Sequence, residues 1–197
     1  MEISAAILAG GRATRLGGAD KASLDVGGRR IIERQLAAIA AVSDDVRVVV
    51  HEPGDAARYA DLAIRAVPDA IAGAGPLGGV YTALADARHD RVLVLACDLP
   101  FVTSALAERL LKESGTGEEV DAVVPRSARG LEPLCAVYRT RCAAAARTCI
   151  ERGELRMTAF LARLHVRELD AFGPDDGGAL FENVNTPHDY ARAKDRG

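Results

Sequence analysis

The chain has 197 residues, 49% of them hydrophobic and 27% charged, and carries a net charge of −3. Such a chain suits one soluble domain, residues 1–197, with a substantial core, and its slight acidity excludes a protein that coats nucleic acid, which needs a basic face. No apolar run is long enough to span a membrane, and no charged segment precedes the first apolar stretch as a signal peptide would require. The four cysteines (Cys97, Cys135, Cys142, Cys149) lack C-x-x-C spacing, so neither a zinc site nor a disulfide framework is expected. The expected setting is the reduced cytoplasm, with no membrane and no nucleic acid as partner, and Cys142 and Cys149 read as small buried hydrophobes.

The first element is an apolar run, Ile3 to Leu8, read as a buried strand. It breaks into a loop of glycines and cations: Gly10, Gly11, Arg12, Arg15, Gly17, Gly18 and Lys21. Glycine allows close backbone approach and positive φ, so N–H groups can converge on anionic oxygens. Arg15 adds a planar fork and Lys21 a point charge. The spacing matches neither the P-loop nor G-x-G-x-x-G, yet a strand feeding such a loop at the start of an α/β chain is a reasonable phosphate site.

Downstream, Leu24 to Gly28 reads as a short strand or turn, followed by a helix over Arg30–Ala41 and a β-branched strand over Val46–Val50 that ends at His51. A short helix is expected over Asp55–Asp61 and a weaker strand over Leu62–Val67, ended by Pro68-Asp69. A second glycine loop, Gly73 to Gly79, leads into a helix through Ala87. Arg91–Ala96 is the clearest buried strand and delivers Asp98 at its carboxyl end, the edge where open α/β sheets bind ligands. The plainer reading of Asp98 is a turn or helix-start aspartate.

Thr103 is a suitable N-cap for a helix to Lys112. Strands are expected at Val120–Pro125, Pro133–Tyr138 and His165–Leu169, and helices at Thr140–Arg152 (stopped by Gly153), at Met157–Leu164 and from Pro187 behind Thr186. Phe172–Gly178 reads as a turn-rich connector. Alternating strands and helices with short links give an α/β fold: a three-layer α/β/α sandwich around a mostly parallel sheet.

The motifs LAGG-x₃-R-LGG-x-DK, L-x-V-x-G, GPLGG, CDLP, EPL and F-x-NVNTP follow in that order from residue 5 to about 192. In this set and order the chain resembles the molybdenum cofactor guanylyltransferases. The resemblance implies a Rossmann-like nucleotidyltransferase fold and the transfer of GMP from GTP to molybdopterin, with Mg²⁺ as cofactor. It implies that Leu8, Ala9 and Gly10 contact the guanine and ribose, that Gly11 belongs to the binding site beside them, and that Arg15 and Lys21 hold the triphosphate. Asp69 would be a further nucleotide contact, Gly75 and Gly79 would shape the base and ribose pocket, and Asp98 would be the metal ligand. Asn183 and Asn185 match asparagines near the pterin. His51 stands where relatives often carry Asn. Transient contacts with molybdoenzymes or their chaperones are implied as well. A cytidylyltransferase for the same pterin, or a sugar-1-phosphate nucleotidyltransferase, shares much of this skeleton.

Overall fold

A computed structural model describes residues 3–10, 12–13, 19–115, 119–170 and 177–197. Its main sheet has eight strands: β1 (Ile3–Leu8), β2 (Asp45–Val50), β3 (Arg65–Pro68), β4 (Arg91–Ala96), β5 (Ala122–Ser127), β6 (Gly130–Leu131), β7 (Cys135–Arg139) and β8 (Val166–Asp170). The order across the sheet is β6-β5-β7-β4-β1-β2-β3, with β8 beside β5. β1 lies in the middle, parallel to both β2 and β4, and β3 extends the sheet in parallel beyond β2. β7 runs antiparallel between β4 and β5, and β6 folds back on β5. The mostly parallel sheet is thus concentrated in the half that carries the glycine loops.

Side-chain alternation along the strands divides the core into two layers. Ile3, Ala5 and Ile7 of β1 pack with α1 (Ile31–Ile39) and α3 (Ser104–Ser114), while Ala6 points to the opposite face. That second face is covered by α2 (Gly75–Ala85), α4 (Cys142–Glu151) and α5 (Met157–Leu161). Cys142 and Cys149 are buried free thiols there, as the sequence suggests. The sandwich therefore has the three expected layers. A short helix, α6 (Gly177–Leu180), precedes α7 (Pro187–Arg196), which Thr186 caps by accepting from the Asp189 N–H at 3.1 Å. α7 returns to the front of the sheet, where Ala193 and Val184 pack with Val26 and Ile31.

Several boundaries differ from the sequence reading, among them α1, which is Ile31–Ile39 within the expected Arg30–Ala41, and α5, which stops at Leu161 short of the expected Leu164. The strand expected at Leu62–Val67 is Arg65–Pro68, because a 3₁₀ helix over Pro53–Leu62 runs on past Asp61 until Ala63 turns left-handed at φ 51°. Its Tyr59 is buried against the core and anchors that longer segment. The connector placed at Phe172–Gly178 lies outside the described residues through 176, and α6 begins at Gly177.

The edge of the sheet where β1, β2 and β4 begin is closed by a buried ionic cluster. Arg47, on β2, is fully buried and donates to Asp45 and, at 3.0 Å, to Asp86. Asp45 also accepts from the Ser4 hydroxyl and from the Arg88 N–H at 3.2 Å. The other ends of the same strands are left to build a site.

Candidate active site

Three chain crossings meet where β1, β2 and β4 end. The Ala9 N–H bonds to the Val49 carbonyl at 2.8 Å and the Cys97 N–H to the Leu8 carbonyl at 3.2 Å, which continues the ladder past the strand ends. Beyond Gly10, Arg12–Ala13 pairs antiparallel with Ala19–Asp20, and Lys21 follows at the sheet edge. Gly11 and Arg15 lie outside the described residues.

Lys21 begins a short 3₁₀ turn, Lys21–Ser23, capped by Asp20. The Asp20 carboxylate accepts from the Ala22 N–H at 3.2 Å, the Ser23 hydroxyl at 2.7 Å and the Tyr59 hydroxyl at 2.8 Å. Burial and the adjoining Asp20 carboxylate push the Tyr59 phenol pKa up, so it remains a donor. Tyr59→Phe should therefore lower the unfolding free energy by about 1.5–3 kcal/mol, the range for a bond to a charged group, and raise the half-saturating nucleotide concentration. Denaturant titration and nucleotide saturation measure the two. An unchanged saturation curve would mean that Asp20 holds the turn without Tyr59.

The Lys21 ammonium reaches Asp98 Oδ2 at 3.2 Å and also donates to the Asn185 side-chain carbonyl. Both charged side chains are largely buried, with 14% and 19% of their surface exposed. The turn bearing Asp98 is tied to the last segment of the chain, since the Val184 N–H donates to the Asp98 carbonyl at 2.9 Å. Lysine, aspartate and asparagine from three distant motifs thus form one constellation.

They overlook a cleft of about 310 Å³. Leu8, Gly10, Lys21 and Asp98 line it together with Asp69, Gly75 and Gly79. Two of these glycines have a local reason. Gly75 has φ 60°, a conformation that strains residues with a side chain. A Cβ at Gly79 would meet both Leu8 methyl carbons at 3.4 Å, ordinary contact distance, so glycine there leaves that space beside Leu8 to the cleft. α2 starts without a side-chain cap at Ala74, and uncapped N–H groups in a first helical turn suit an anion or a base acceptor. The Asp69 carboxylate accepts from the Thr82 hydroxyl at 2.8 Å, which holds it against α2.

Ala9, His51 and Asn183 do not line the cleft, and Asn185 is tied to it through Lys21. Ala9 spends its N–H on β2. His51 flanks the loop, its Cβ 3.6 Å from where a Cβ on Gly10 would stand. Asn183 is separated in role from Asn185: its side-chain carbonyl accepts from Arg129 at 3.2 Å. Residues not singled out by sequence complete the wall, among them Pro76, Cys97 and Leu134. Burial, with Asp98 next in sequence, pushes the Cys97 thiol pKa well up, so Cys97 is a neutral wall residue and no nucleophile. Pro76 and Cys97 sit inside the GPLGG and CDLP motifs. Leu134 belongs to EPL, but nothing in its spacing marks it as a cleft residue.

A divalent cation fits this donor set. The described residues contain no group of three or more His, Cys, Asp or Glu able to hold a metal by themselves. Mg²⁺ does not need one, because it is commonly held by one or two carboxylates together with substrate phosphates. Asp98 already attracts a cation, the Lys21 ammonium.

A parallel sheet whose central strand opens into a glycine loop, with lysine and a strand-end carboxylate over a cleft, defines an α/β enzyme of the nucleotidyltransferase class. The chain belongs to the MobA-like NTP transferase family, whose domain matches residues 5–168. It is 36% identical to a probable molybdenum cofactor guanylyltransferase of Pelotomaculum thermopropionicum, over 98% of this chain and 93% of the relative. It is 32% identical to the molybdenum cofactor guanylyltransferase of Desulfosudis oleivorans, over 98% and 94%. The crystal structure of molybdopterin-guanine dinucleotide biosynthesis protein A from Archaeoglobus fulgidus superposes with a TM-score of 0.83 at 27% identity, covering 98% of this chain and 97% of that one. The resemblance carried by the motifs is borne out. Among the described residues, no helix is long and apolar enough to cross a membrane.

Proposed function

We propose that this chain transfers GMP from GTP to molybdopterin carrying molybdenum, giving the guanine dinucleotide and pyrophosphate. The observation that carries this reading is the convergence of Lys21, Asp98 and Asn185 over the cleft, on a chain that shares its family and length with guanylyltransferases. In the reaction, a terminal phosphate oxygen of molybdopterin forms a bond to the α-phosphorus of GTP, and the bond from that phosphorus to the β-phosphate bridging oxygen breaks. The attacking phosphate is already anionic near neutral pH, so no general base is required, and catalysis rests on positioning and charge neutralisation.

Each residue has a part in this. The apolar wall formed by Leu8 and Leu134 and the first turn of α2 around Gly75 and Gly79 take the nucleoside. Lys21 exchanges its Asp98 and Asn185 partners for phosphate oxygens and stabilises the departing pyrophosphate, aided by Arg15. Asp98 would hold Mg²⁺, which when bound would supply Lewis-acid polarisation of the phosphates. Asn183 and Asn185 belong to the acceptor side, with His51 and Asp69 beside the nucleotide. The reaction is set in the cytoplasm, and its product passes to molybdoenzymes or their chaperones through transient contacts.

Pyrophosphate release tests the assignment, measured with Mg²⁺ and molybdenum-bearing molybdopterin against GTP, CTP, ATP and UTP in turn. Release with GTP alone is expected. Release with CTP alone would retain the chemistry and overturn the base. Silence with every nucleotide from folded protein would overturn the reaction.

A further inference from the structure

We infer that Gln35 is a positioning residue for Asp98; the inference rests on the role proposed above for that carboxylate. Gln35 lies on the buried stripe of α1, four residues after Ile31 and three after Ile32. Helical periodicity would place an apolar residue there, and burying an amide is unfavourable unless it is hydrogen-bonded. Yet Gln35 is 0% exposed.

Its side-chain nitrogen explains the choice. Nε2 donates to the Ala96 carbonyl at 2.7 Å and to the Leu99 carbonyl at 3.1 Å. These two carbonyls bracket Cys97 and Asp98, so one amide clamps both shoulders of the turn that carries the carboxylate. The two acceptors also fix the orientation of the amide, because the flipped form would set oxygen against two carbonyl oxygens. In the observed form Oε1 is buried with no hydrogen-bond partner. An amide that leaves its own oxygen unsatisfied is a poor device for stability alone, since an orphaned acceptor costs as much as a good bond contributes. What the geometry secures is the shape of the turn. Neighbouring bonds complete the mounting: Arg34 Nε donates to the Pro100 carbonyl at 3.1 Å, and the Val184 N–H to the Asp98 carbonyl at 2.9 Å. Among the described residues, Gln35 is the side chain that bonds to both sides of Asp98 at once.

Groups that orient a metal ligand without touching the metal typically change affinity or activity by about 10–100-fold when removed. The variant Gln35→Met keeps length and packing but has no donor. In the full-length protein with GTP and no acceptor, Mn²⁺ binding followed by electron paramagnetic resonance should weaken by about tenfold or more. Turnover should fall on the same scale, while the KM for GTP stays near the wild-type value. Ile39→Ala, on the same buried face but remote from the turn, serves as the control: it lowers Tm and leaves Mn²⁺ affinity unchanged. If Gln35→Met also lowers Tm yet binds Mn²⁺ as wild type does, the residue is structural only and the inference is overturned.

Should Gln35→Met fail to fold, the wild-type protein still decides. The Gln35 side-chain amide protons should exchange slowly and shift when Mg²⁺ and GTP bind; signals that exchange freely and do not move would overturn the inference. Because metal binding is read without acceptor, absent GMP transfer in the wild type would count against the assigned reaction and not against the clamp.

Discussion

Asp98→Asn should lower pyrophosphate release by at least about a hundredfold, the scale on which one preorganised electrostatic partner of a reacting group is felt, while the fold survives. Asparagine preserves the shape of the side chain and can still accept from Lys21, so the 97–99 turn keeps its backbone bonds to Gln35 and Val184. What is lost is the negative charge. The Lys21–Asp98 pair is largely buried at the border of the cleft, but Lys21 also donates to Asn185, so the ammonium keeps acceptors when the carboxylate charge is removed. A shift in Tm of only a few degrees is expected, since about 1 kcal/mol moves a domain of this size by roughly 2–4 °C. Lys21→Met should give a similar loss by another route, because the leaving pyrophosphate then departs without its ammonium. Initial rates at saturating GTP, set beside thermal scans, check both. A folded variant with wild-type turnover would remove that residue from the mechanism.

Arg47→Met should have the opposite profile: a loss of about 3–5 kcal/mol in stability with turnover of the folded protein intact. Arg47 is buried at the far end of the strands that carry the site, and its guanidinium answers both Asp45 and Asp86. Replacing it leaves the buried Asp45 carboxylate with only the exposed Arg88 guanidinium at 3.9 Å as a cation, while Asp86 keeps its pair with Arg65. Chemical denaturation measures the loss, and a change below about 1 kcal/mol, the upper range for exposed ion pairs, would show that water reaches the cluster.

The same cluster sets a pH dependence. Burial raises the Asp45 pKa, but bonds from Ser4, the Arg88 N–H and Arg47 outweigh it and hold the carboxyl below the usual carboxylate range. A depressed folded pKa stabilises above the unfolded value near 4 and is lost as pH falls through the folded value. This share of stability therefore disappears on acidification and is insensitive to alkali.

Much of this was legible in the sequence, for identifiable reasons. Arg91–Ala96 and Ile3–Leu8 are continuous apolar runs, and strands covered on both faces read that way. Thr103 and Thr186 mark their helices because a cap is a local device: each hydroxyl accepts an N–H three residues on. The carboxylate at the end of β4 and the lysine after the first glycine loop were visible as charges at strand ends. The supports of these residues were not. Tyr59 reads as one residue of a short polar helix and Gln35 as an interruption of an apolar stripe; only the tertiary structure shows that one braces Asp20 and the other clamps the Asp98 turn. Nor does spacing separate the two asparagines of NVNTP, which turn to different partners, Arg129 and Lys21. The antiparallel placement of β7 between β4 and β5 depends on long-range pairing, which the pattern of apolar residues does not encode.

The bond from Lys21 to Asn185 joins residues 164 positions apart. On a ribosome adding roughly 5–20 residues per second, Lys21 emerges many seconds before its partner. The sheet can assemble in that interval, since its last strand ends at Asp170, and long-range parallel pairing is itself slow. The amide of Val184 and the carboxamide of Asn185 come last. A chain arrested between those points can have its sheet but lacks Phe181 of the core and the packing of Val184 and Ala193 on Val26 and Ile31, so the front of the sheet and the site are both unfinished. Competence to handle nucleotide is therefore acquired late in translation, together with the last part of the core, and a stalled or clipped product would be inert.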